Sequence, residues 1–331
     1  MRIAVLGNGG FGSAMATAVS RMGHAVSVYG HDAGYTQQIA ATRRNPRYLP
    51  EDIELPAEIG WTSDGAQAVA DAECLLFAVP TQHLRQTLLG FADAVPAQAP
   101  LVSLAKGIEQ ASGRRPTQVL AEVLPGSRVL ALSGPSHAEE VARGLPAAVV
   151  LAGGDAELRR RLQHELSDPR LRIYRNDDLL GVELCGALKN VMALAAGIAE
   201  GLGLGDNAKA AILSRGLVEM VRFGEAEGAH ADTFWGLAGV GDLAVTAFSR
   251  HGRNRAFGER IGRGERLDEI LATTRKVAEG VWTSRVVVAR ARELGIDMPL
   301  AEAVGRVLFD GLPADRAVGE LMEREHKREM A

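Results

Sequence analysis

The stretch MRIAVLGNGGFG, residues 1–12, decides the fold. Arg2–Leu6 is a short apolar run of the kind that forms a strand buried on both faces, and it stops at glycine. Small and apolar residues then continue with a helical period through residues 11–22. A strand, a glycine loop and a helix in this order predict a dinucleotide-binding unit.

Three glycines of this loop stand in the spacing G-x-G-x-x-G, and each has a physical task. Gly7 makes the tight turn, Gly9 lets the backbone approach a pyrophosphate, and Gly12 lets the helix pack close to the strand. The helix N-terminus adds N–H groups and a partial positive charge for the phosphates. Because this spacing also occurs in ordinary turns, its position directly after a buried strand is what predicts NAD or NADP.

Composition limits the class of protein. A chain of 331 residues, 47% of them hydrophobic, predicts a globular protein of about two domains. Cys74 and Cys185 form no pairing or ligand pattern, which favours a reducing compartment without metal or disulfide. No signal region opens the chain, and residues 191–199 are too short to cross a bilayer. With a net charge of −4, we expect a cytoplasmic protein with no membrane span and no nucleic-acid partner.

The order of apolar runs predicts two domains. Further strands are expected at residues 25–29, 74–79, 101–105, 128–133, 147–151 and 171–174, with a charged helix at 155–166. Residues 32–72 are expected to be an excursion with short helical patches. From residue 179 onward the pattern is almost wholly helical. The sequence therefore predicts an α/β chain: a doubly wound Rossmann-type sheet in residues 1–180, an all-helical domain in 181–331, and the reaction in a cleft between them.

Several polar residues follow the predicted strands, where ligands bind in doubly wound sheets. His31 follows the second strand at the position where an acidic residue favours NAD and a basic residue favours NADP; Asp32 comes one position later, and both cofactors stay open. Lys106 ends another strand and would direct a cation toward the ligand, unless it is a surface lysine. Gly134 and Ser136 end the strand at 128–133 and suit a ligand-binding loop or a simple turn.

In the helical domain, Lys189 is the candidate catalytic residue. It lies beside Asn190 in a strongly apolar helix at residues 181–198, where burial and a nearby cation such as Lys106 would lower its pKa toward neutrality. A pair with Glu183 is the structural alternative. Asp242, in the glycine-rich stretch at 235–243, would orient the lysine or act as a helix N-cap.

A cationic segment follows, and it predicts anion binding. Arg253 stands beside Asn254 and suits bidentate phosphate binding. The alternative is a solvated charged face. The segment contains arginines at positions 250, 253, 255, 260, 263 and 266.

These residues carry a resemblance to the bacterial NAD(P)-dependent glycerol-3-phosphate dehydrogenases. The matching stretches span almost the whole chain in the family's order, and ELCGALKN is more specific than the nucleotide fingerprint. They are GNGGFG at 7–12, YGHD at 29–32, VPTQHLR at 79–85, SLAKGIE at 103–109, LSGPSHAEE at 132–140, ELCGALKN at 183–190, GLAGVGDL at 236–243, GRNRAFG at 252–258 and RKVAEG at 275–280.

The resemblance implies a role for each matched residue. Lys189 would be the general acid/base, in a reversible hydride transfer between NAD(P)H and dihydroxyacetone phosphate that gives sn-glycerol 3-phosphate for glycerophospholipid synthesis. The substrate would be bound by Lys106, Gly134, Ser136, Lys189, Asp242, Gly252, Arg253 and Asn254. The cofactor would be bound by Gly7, Gly9, Gly10, Phe11, Gly12, His31, Lys106, Ala138, Arg253, Val277 and Glu279. A homodimer is implied as well.

Two departures and two alternatives accompany this resemblance. The family often has serine where Gly252 stands, so one hydroxyl contact to phosphate is missing here or is supplied by the backbone. It usually has a Thr-Cys pair where Thr246 and Ala247 stand, so cysteine chemistry is excluded at that position. A lysine-dependent dehydrogenase of the β-hydroxyacid or 6-phosphogluconate type is one alternative function. A non-catalytic nucleotide sensor is the other, and the presence of Lys106, Lys189 and Asp242 disfavours it.

Overall fold

The structure, a computed structural model, describes residues 1–249, 252–274 and 278–325. The chain divides into two compact units. The first contains Met1–Ala105 and Arg114–Leu179; the second contains Lys106–Gly113 and Leu180–Ala331. The short segment Lys106–Gly113 is therefore grouped with the helices of the second unit, although it directly follows a strand of the first.

An eight-stranded sheet forms the first unit. Its strands are β1 (Arg2–Leu6), β2 (Ala25–Tyr29), β3 (Gly60–Thr62), β4 (Cys74–Phe77), β5 (Leu101–Ser103), β6 (Val129–Ser133), β7 (Ala147–Gly153) and β8 (Leu171–Asn176). They lie in the order β3-β2-β1-β4-β5-β6-β7-β8 and pair in parallel, apart from the antiparallel pair β6–β7. The order 3-2-1-4-5-6 of the first six strands is the doubly wound order, so the predicted fold class is confirmed.

Helices and aliphatic side chains cover the sheet. The helices are α1 (Gly10–Arg21), α2 (Ala33–Thr42), α3 (Gly65–Val69), α4 (Thr81–Leu89), α5 (Pro116–Val123), α6 (Ala138–Arg143) and α7 (Ala156–Glu165), with a 3₁₀ turn at Ala92–Ala94. On β1, Ile3 and Val5 belong to one core cluster, whereas Ala4 and Leu6 belong to another. This alternation shows that the first strand is buried on both faces, as its apolar sequence predicts.

One strand was not expected from the sequence. β3 lies within residues 32–72, and its three residues pair in parallel with residues 27–29 of β2. Three residues are too few to show an alternating pattern, which explains why only helical patches were predicted there. The helical patches themselves correspond to α2 and α3.

Among its described residues, the second unit has only helices and no strand as regular secondary structure. Its helices are α8 (Leu179–Gly201), α9 (Gly205–Glu227), α10 (Ala231–Phe234), α11 (Asp242–Phe248), α12 (Arg253–Gly262), α13 (Leu267–Thr273), α14 (Glu279–Leu294), α15 (Pro299–Phe309) and α16 (Ala314–Met322). A π-helical turn, Leu237–Gly241, leads directly into α11.

The helix α8 is the most deeply buried element of the second unit. Every residue from Gly181 to Ala199 is buried. By length and composition alone α8 would be able to cross a membrane, but 83% of its most apolar window is buried inside the protein. A helix at the core of a globular domain can be equally long and apolar. The burial of α8 is typical of such a core helix.

Candidate active site

Two lysine side chains of the second unit meet at the carboxylate of Asp242. The Nζ of Lys189, on α8, lies 2.6 Å from Asp242 Oδ1. The Nζ of Lys106 lies 2.6 Å from Asp242 Oδ2. Lys189 and Asp242 are almost completely buried, at 6% and 1% exposed. One carboxylate thus binds two ammonium groups, and the ion pair of Lys189 is made with Asp242, the partner proposed for it, rather than with the alternative Glu183.

The environment shifts the pKa of both buried groups. Burial has the largest effect on Lys189; Asp242 raises its pKa, while Lys106 and Arg253 lower it, and the value falls from 10.5 to about 8. Burial alone would raise the pKa of Asp242, but the attraction of the two lysines outweighs it and holds the pKa below its usual value. A lysine with a pKa near 8 exchanges a proton close to neutral pH, as general acid/base catalysis requires.

A π-helical turn determines where Asp242 lies. The glycine-rich stretch at 235–243 is not an open loop, because Leu237–Gly241 forms this turn and Asp242 is the first residue of α11. A Cβ on Gly239 would lie 1.9 Å from the carbonyl oxygen of Phe234, so only glycine permits this packing. The N-cap position belongs to Gly241, and the carboxylate of Asp242 binds the lysines instead of capping the helix.

Thr246 is a member of this cluster that sequence reasoning did not assign. Lys189 Nζ donates a hydrogen bond of 2.6 Å to Thr246 Oγ1, and this hydroxyl lies 3.3 Å from Asp242 Oδ1. Thr246 stands four residues after Asp242, so the two side chains share one face of α11. That spacing is the signal by which the sequence would have identified it.

Asn190 links the lysine cluster to the start of α12. Its Nδ2 donates to the carbonyl oxygen of Lys106 at 2.7 Å and to that of Gly186 at 3.2 Å. Its Oδ1 accepts from Asn254 Nδ2 at 2.9 Å, and Asn254 Oδ1 accepts from the N–H of Gly280 at 3.0 Å. These bonds hold α8, α12 and α14 together and fix the backbone that carries Lys106.

The arginines of the predicted cationic segment are mostly paired with acidic residues. Arg250 lies outside the described residues. Four of the others bind carboxylates: Arg255 with Glu200 and Glu259, Arg260 with Glu265, Arg263 with Glu259, and Arg266 with Asp268. Arg253 is exposed, forms no ion pair with any described residue, and lies close enough to Lys189 to lower its pKa. The prediction of one broad anion-binding patch was therefore too wide, and Arg253 is the member that is available.

Gly252 is the N-cap of α12 and lies close to the last turn of α11. Its N–H donates to the carbonyl of Ser249 at 3.2 Å. A Cβ here would lie 2.7 Å from the carbonyl oxygen of Thr246, so Gly252 packs directly on the end of α11. A serine at this position would therefore require the backbone around Gly252 or Thr246 to shift.

Glycines bring α8 and α12 into backbone contact. A Cβ on Gly258 would lie 2.2 Å from the carbonyl oxygen of Leu194, and one on Gly262 would lie 2.3 Å from that of Ile198. Each of these pairs is 64 residues apart, as are Asn190 and Asn254. The two helices therefore run in the same direction with one constant register, which brings Arg253 level with Lys189.

In the first unit, the glycine loop has the geometry that a dinucleotide site requires. Gly7 has a φ of +113°, and a Cβ on Gly12 would lie 1.9 Å from the Gly7 carbonyl oxygen. A Cβ on Gly9 would meet nothing within 4 Å, so open space lies above the loop for a ligand. The helix α1 begins at Gly10 with no side-chain cap. The residues present thus fit a bound pyrophosphate at a helix N-terminus.

The structure brings only some of the other predicted cofactor residues to this loop. Ala138 is close to it, since a Cβ on Gly10 would lie 3.5 Å from the Cβ of Ala138. Phe11 lies in the first turn of α1, and His31 is exposed beyond β2. Glu279 begins α14 in the second unit and is buried. Val277 lies outside the described residues.

The two residues predicted after β6 form a local turn. Gly134 has a φ of +135°, a value that favours glycine. Ser136 Oγ donates to the carbonyl of Gly134 at 2.9 Å. The hydroxyl of Ser136 can still accept a hydrogen bond from a ligand.

Comparison with known proteins identifies one family along almost the whole chain. The family model for the NAD-dependent glycerol-3-phosphate dehydrogenase N-terminus matches residues 2–159, and the model for the C-terminus matches residues 178–319. A glycerol-3-phosphate dehydrogenase (NAD(P)+) of Chlorobium limicola is 44% identical to this chain, and the alignment covers 100% of both proteins. One from Thiobacillus denitrificans is 46% identical over 99% of this chain and 100% of its own.

Solved structures agree with the sequence relatives. The crystal structure of a glycerol-3-phosphate dehydrogenase from Coxiella burnetii superposes with a TM-score of 0.93 at 36% identity, covering 98% of this chain and 99% of that one. The Rossmann-type unit, the helical unit with its buried lysine, and these full-length matches lead to one conclusion. The chain belongs to the NAD-dependent glycerol-3-phosphate dehydrogenase family.

Proposed function

We propose that this protein is an NAD(P)-dependent glycerol-3-phosphate dehydrogenase that interconverts dihydroxyacetone phosphate and sn-glycerol 3-phosphate. The observation that carries the proposal is the buried cluster in which Lys189 and Lys106 share the carboxylate of Asp242 at 2.6 Å each. Such a cluster supplies a proton near neutral pH, which the reduction of a ketone consumes. The family membership favours this function over the other lysine-dependent dehydrogenases and over a nucleotide sensor.

Lys189 is the proton donor in this proposal. The nicotinamide, when bound, supplies the hydride that goes to C2 of the ketone. The Lys189 ammonium donates its proton to the oxygen on C2 as negative charge develops there, so a C–H bond and an O–H bond form while the C=O π bond breaks. In the reverse direction the neutral amine takes the hydroxyl proton. Asp242 and Thr246 hold the Nζ in place through the two hydrogen bonds at 2.6 Å.

The start of α12 is the proposed site for the substrate phosphate. The N–H groups of Arg253 and Asn254 precede the first hydrogen bond within α12, which runs from Ala256 to Gly252. Together with the exposed Arg253 guanidinium they would bind an anion at the positive end of the helix. The side-chain amide of Asn254 is engaged with Asn190 and Gly280, so its contribution comes from the backbone and the second Nδ2 hydrogen.

The remaining predicted residues complete the proposal. Lys106 adds positive charge beside the proton donor, and Gly134 and Ser136 contact the substrate. The cofactor is bound by the glycine loop, with Gly7, Gly9, Gly10, Phe11 and Gly12, and by His31, Lys106, Ala138, Arg253, Val277 and Glu279. NAD and NADP both fit this set of residues.

We propose in addition a homodimer in the cytoplasm that feeds glycerophospholipid synthesis. The family resemblance supports the homodimer and the metabolic role. Two free, buried cysteines, Cys74 and Cys185, support a reducing compartment.

The experiment that tests the activity is oxidation of NADPH and NADH with dihydroxyacetone phosphate as the sole acceptor. Turnover that is lost when unphosphorylated dihydroxyacetone replaces the phosphate ester would support the substrate. No turnover by folded protein that binds either cofactor would contradict it.

A further inference from the structure

The carboxylate of Asp32, just after β2, is already engaged on both oxygens. Oδ1 accepts the N–H of Tyr35 at 2.9 Å and thereby caps α2, and Oδ2 binds Arg47 Nη1 at 2.9 Å. The pKa of Asp32 is lowered, first by the Tyr35 hydrogen bond and then by Arg47. An acidic residue that reads the ribose hydroxyls of NAD offers its oxygens to them. In this structure each oxygen already accepts one hydrogen bond, from the helix cap or from the ion pair, and has correspondingly less capacity for the ribose.

Arg47 is held in one place by contacts from several sides. Its guanidinium lies 3.7 Å above the ring of Tyr35, and its backbone N–H donates to the Tyr35 hydroxyl at 3.0 Å. The same hydroxyl donates to Asn45 Oδ1 at 2.5 Å. Ordering an arginine in this way before a ligand arrives reduces the entropy lost on binding.

The segment that carries Arg47 is anchored to the glycine loop. Asn45 Nδ2 donates to the Asn8 carbonyl at 2.9 Å and to Ser13 Oγ at 2.8 Å. A Cβ on Gly10 would lie 3.3 Å from the carbonyl oxygen of Tyr48. Arg47 therefore lies between the loop that would hold the pyrophosphate and the end of β2, where a doubly wound fold places the adenosine ribose.

We propose that Arg47 is the residue that binds the 2′-phosphate of the cofactor and makes this enzyme prefer NADPH to NADH. The proposal rests on the proposed cofactor site and adds a specificity determinant to it. The guanidinium keeps free N–H groups beside the one bound to Asp32, and it suits a phosphate through a bidentate contact. His31, directly before Asp32, is also exposed at this end of β2.

Fragments of the cofactor separate this role from catalysis. Isothermal titration of the full-length protein with 2′,5′-ADP and with 5′-AMP measures the contribution of the 2′-phosphate alone. We expect 2′,5′-ADP to bind at least tenfold more tightly than 5′-AMP. In Arg47→Ala this preference should fall by about tenfold to a hundredfold, the usual worth of a charge-assisted hydrogen-bond pair, while 5′-AMP binding stays within about twofold.

Arg44→Ala is the matched control, because Arg44 is an exposed arginine of the same segment whose side chain binds the carbonyl of Glu51. It should retain the preference for 2′,5′-ADP. An equal loss in Arg44→Ala would show that general surface charge, and not the placement of Arg47, is responsible. That result would overturn the proposal.

Asp32→Asn tests the competing role of Asp32. Asparagine caps a helix as well as aspartate does, so the fold should be retained. We expect 5′-AMP to bind as in the wild type, and 2′,5′-ADP to bind equally or more tightly because a negative charge is gone. Weaker binding of 5′-AMP would show that Asp32 reads the ribose hydroxyls and would overturn the proposal. If neither fragment binds the folded wild-type protein, the proposed cofactor site fails; if both bind equally, only the role of Arg47 fails.

Discussion

Asn254 Nδ2 donates to Asn190 Oδ1 at 2.9 Å, a polar contact across the two helices that carry the proposed phosphate-binding residue and the proposed proton donor. Asn190 and Asn254 are 64 residues apart in sequence, and the glycine contacts Leu194–Gly258 and Ile198–Gly262 have the same separation. Substrate position would therefore depend on how closely α12 packs against α8. This relationship allows tests at residues that touch no ligand.

Gly258→Ala should displace Arg253 from Lys189. The added methyl group would start 2.2 Å from the Leu194 carbonyl oxygen, so the helices must separate by about 1 Å. A misplacement of about 1 Å can cost a hundredfold, and we expect KM for dihydroxyacetone phosphate to rise by roughly tenfold to a hundredfold. Steady-state kinetics with both substrates checks this, and KM for NADPH should change little.

Two glycines provide controls for the helix-packing test. A Cβ on Gly319, in α16, would meet nothing within 4 Å, whereas one on Gly224, in α9, would lie 2.1 Å from the ring of Phe234. Gly319→Ala should be neutral. Gly224→Ala should lower the melting temperature but not raise KM for the ketone. If Gly224→Ala raises that KM as much as Gly258→Ala does, the effect is not specific to the packing of α12 on α8.

Arg253→Ala should weaken substrate binding and also alter the pH dependence. KM for dihydroxyacetone phosphate should rise by about tenfold to a hundredfold, since charge-assisted hydrogen bonds are lost. Because Arg253 lowers the pKa of Lys189, its removal should move the basic limb of the reduction profile to higher pH. An unchanged KM would show that Arg253 is only a surface residue.

The pH dependence of the wild-type enzyme follows from the direction of the Lys189 pKa shift. Reduction needs the ammonium form, so kcat/KM for dihydroxyacetone phosphate should fall as pH rises through about 8. Oxidation of glycerol 3-phosphate needs the neutral amine, so its kcat/KM should rise with pH and level off above about 8. Profiles measured in both directions check the assignment. A midpoint near the ordinary lysine value of 10.5, for the fall in reduction or for the rise in oxidation, would contradict it.

Asp242→Asn should shift the same limb in the opposite direction. The Asp242 carboxylate raises the pKa of Lys189, so its removal should move the fall in reduction to a pH below about 8. Removing one partner of a buried ion pair typically costs about 3–5 kcal/mol, and we expect a lower melting temperature as well. The pH profile of reduction and thermal denaturation check the two effects. If reduction falls at the same pH in the variant as in the wild type, Asp242 does not influence the pKa of Lys189.

Long, regular patterns made most of the fold predictable from the sequence. The observed bounds of β1 and β2 equal the predicted ones, and α8 extends the predicted helix at 181–198 by a few residues at each end. β3 was missed because three residues carry no periodicity, and its pairing with β2 joins distant parts of the chain. Propensity and spacing describe local structure, whereas such pairing depends on the tertiary fold.

The candidate site was predictable in its residue types but not in its contacts. Lys189 and Asp242 could be singled out because charge in an apolar helix and an acid among glycines are unusual. Asn190 could be noted beside Lys189, but not its contacts. Thr246 and Arg47 were not identified, because threonine and an arginine in a charged segment are common on any surface. Only the fold shows that Thr246, Asn190 and Arg47 bind Lys189, Lys106 and Asp32.

The measurement that tests the central proposal most directly is the turnover of Lys189→Ala with NADPH and dihydroxyacetone phosphate. NADPH binding to the same folded variant is measured in parallel by fluorescence. We expect kcat to fall by about two to four powers of ten, the usual contribution of a positioned acid/base, while the cofactor Kd stays within about twofold. Turnover within a few-fold of the wild type would contradict the assignment of Lys189 as the proton donor.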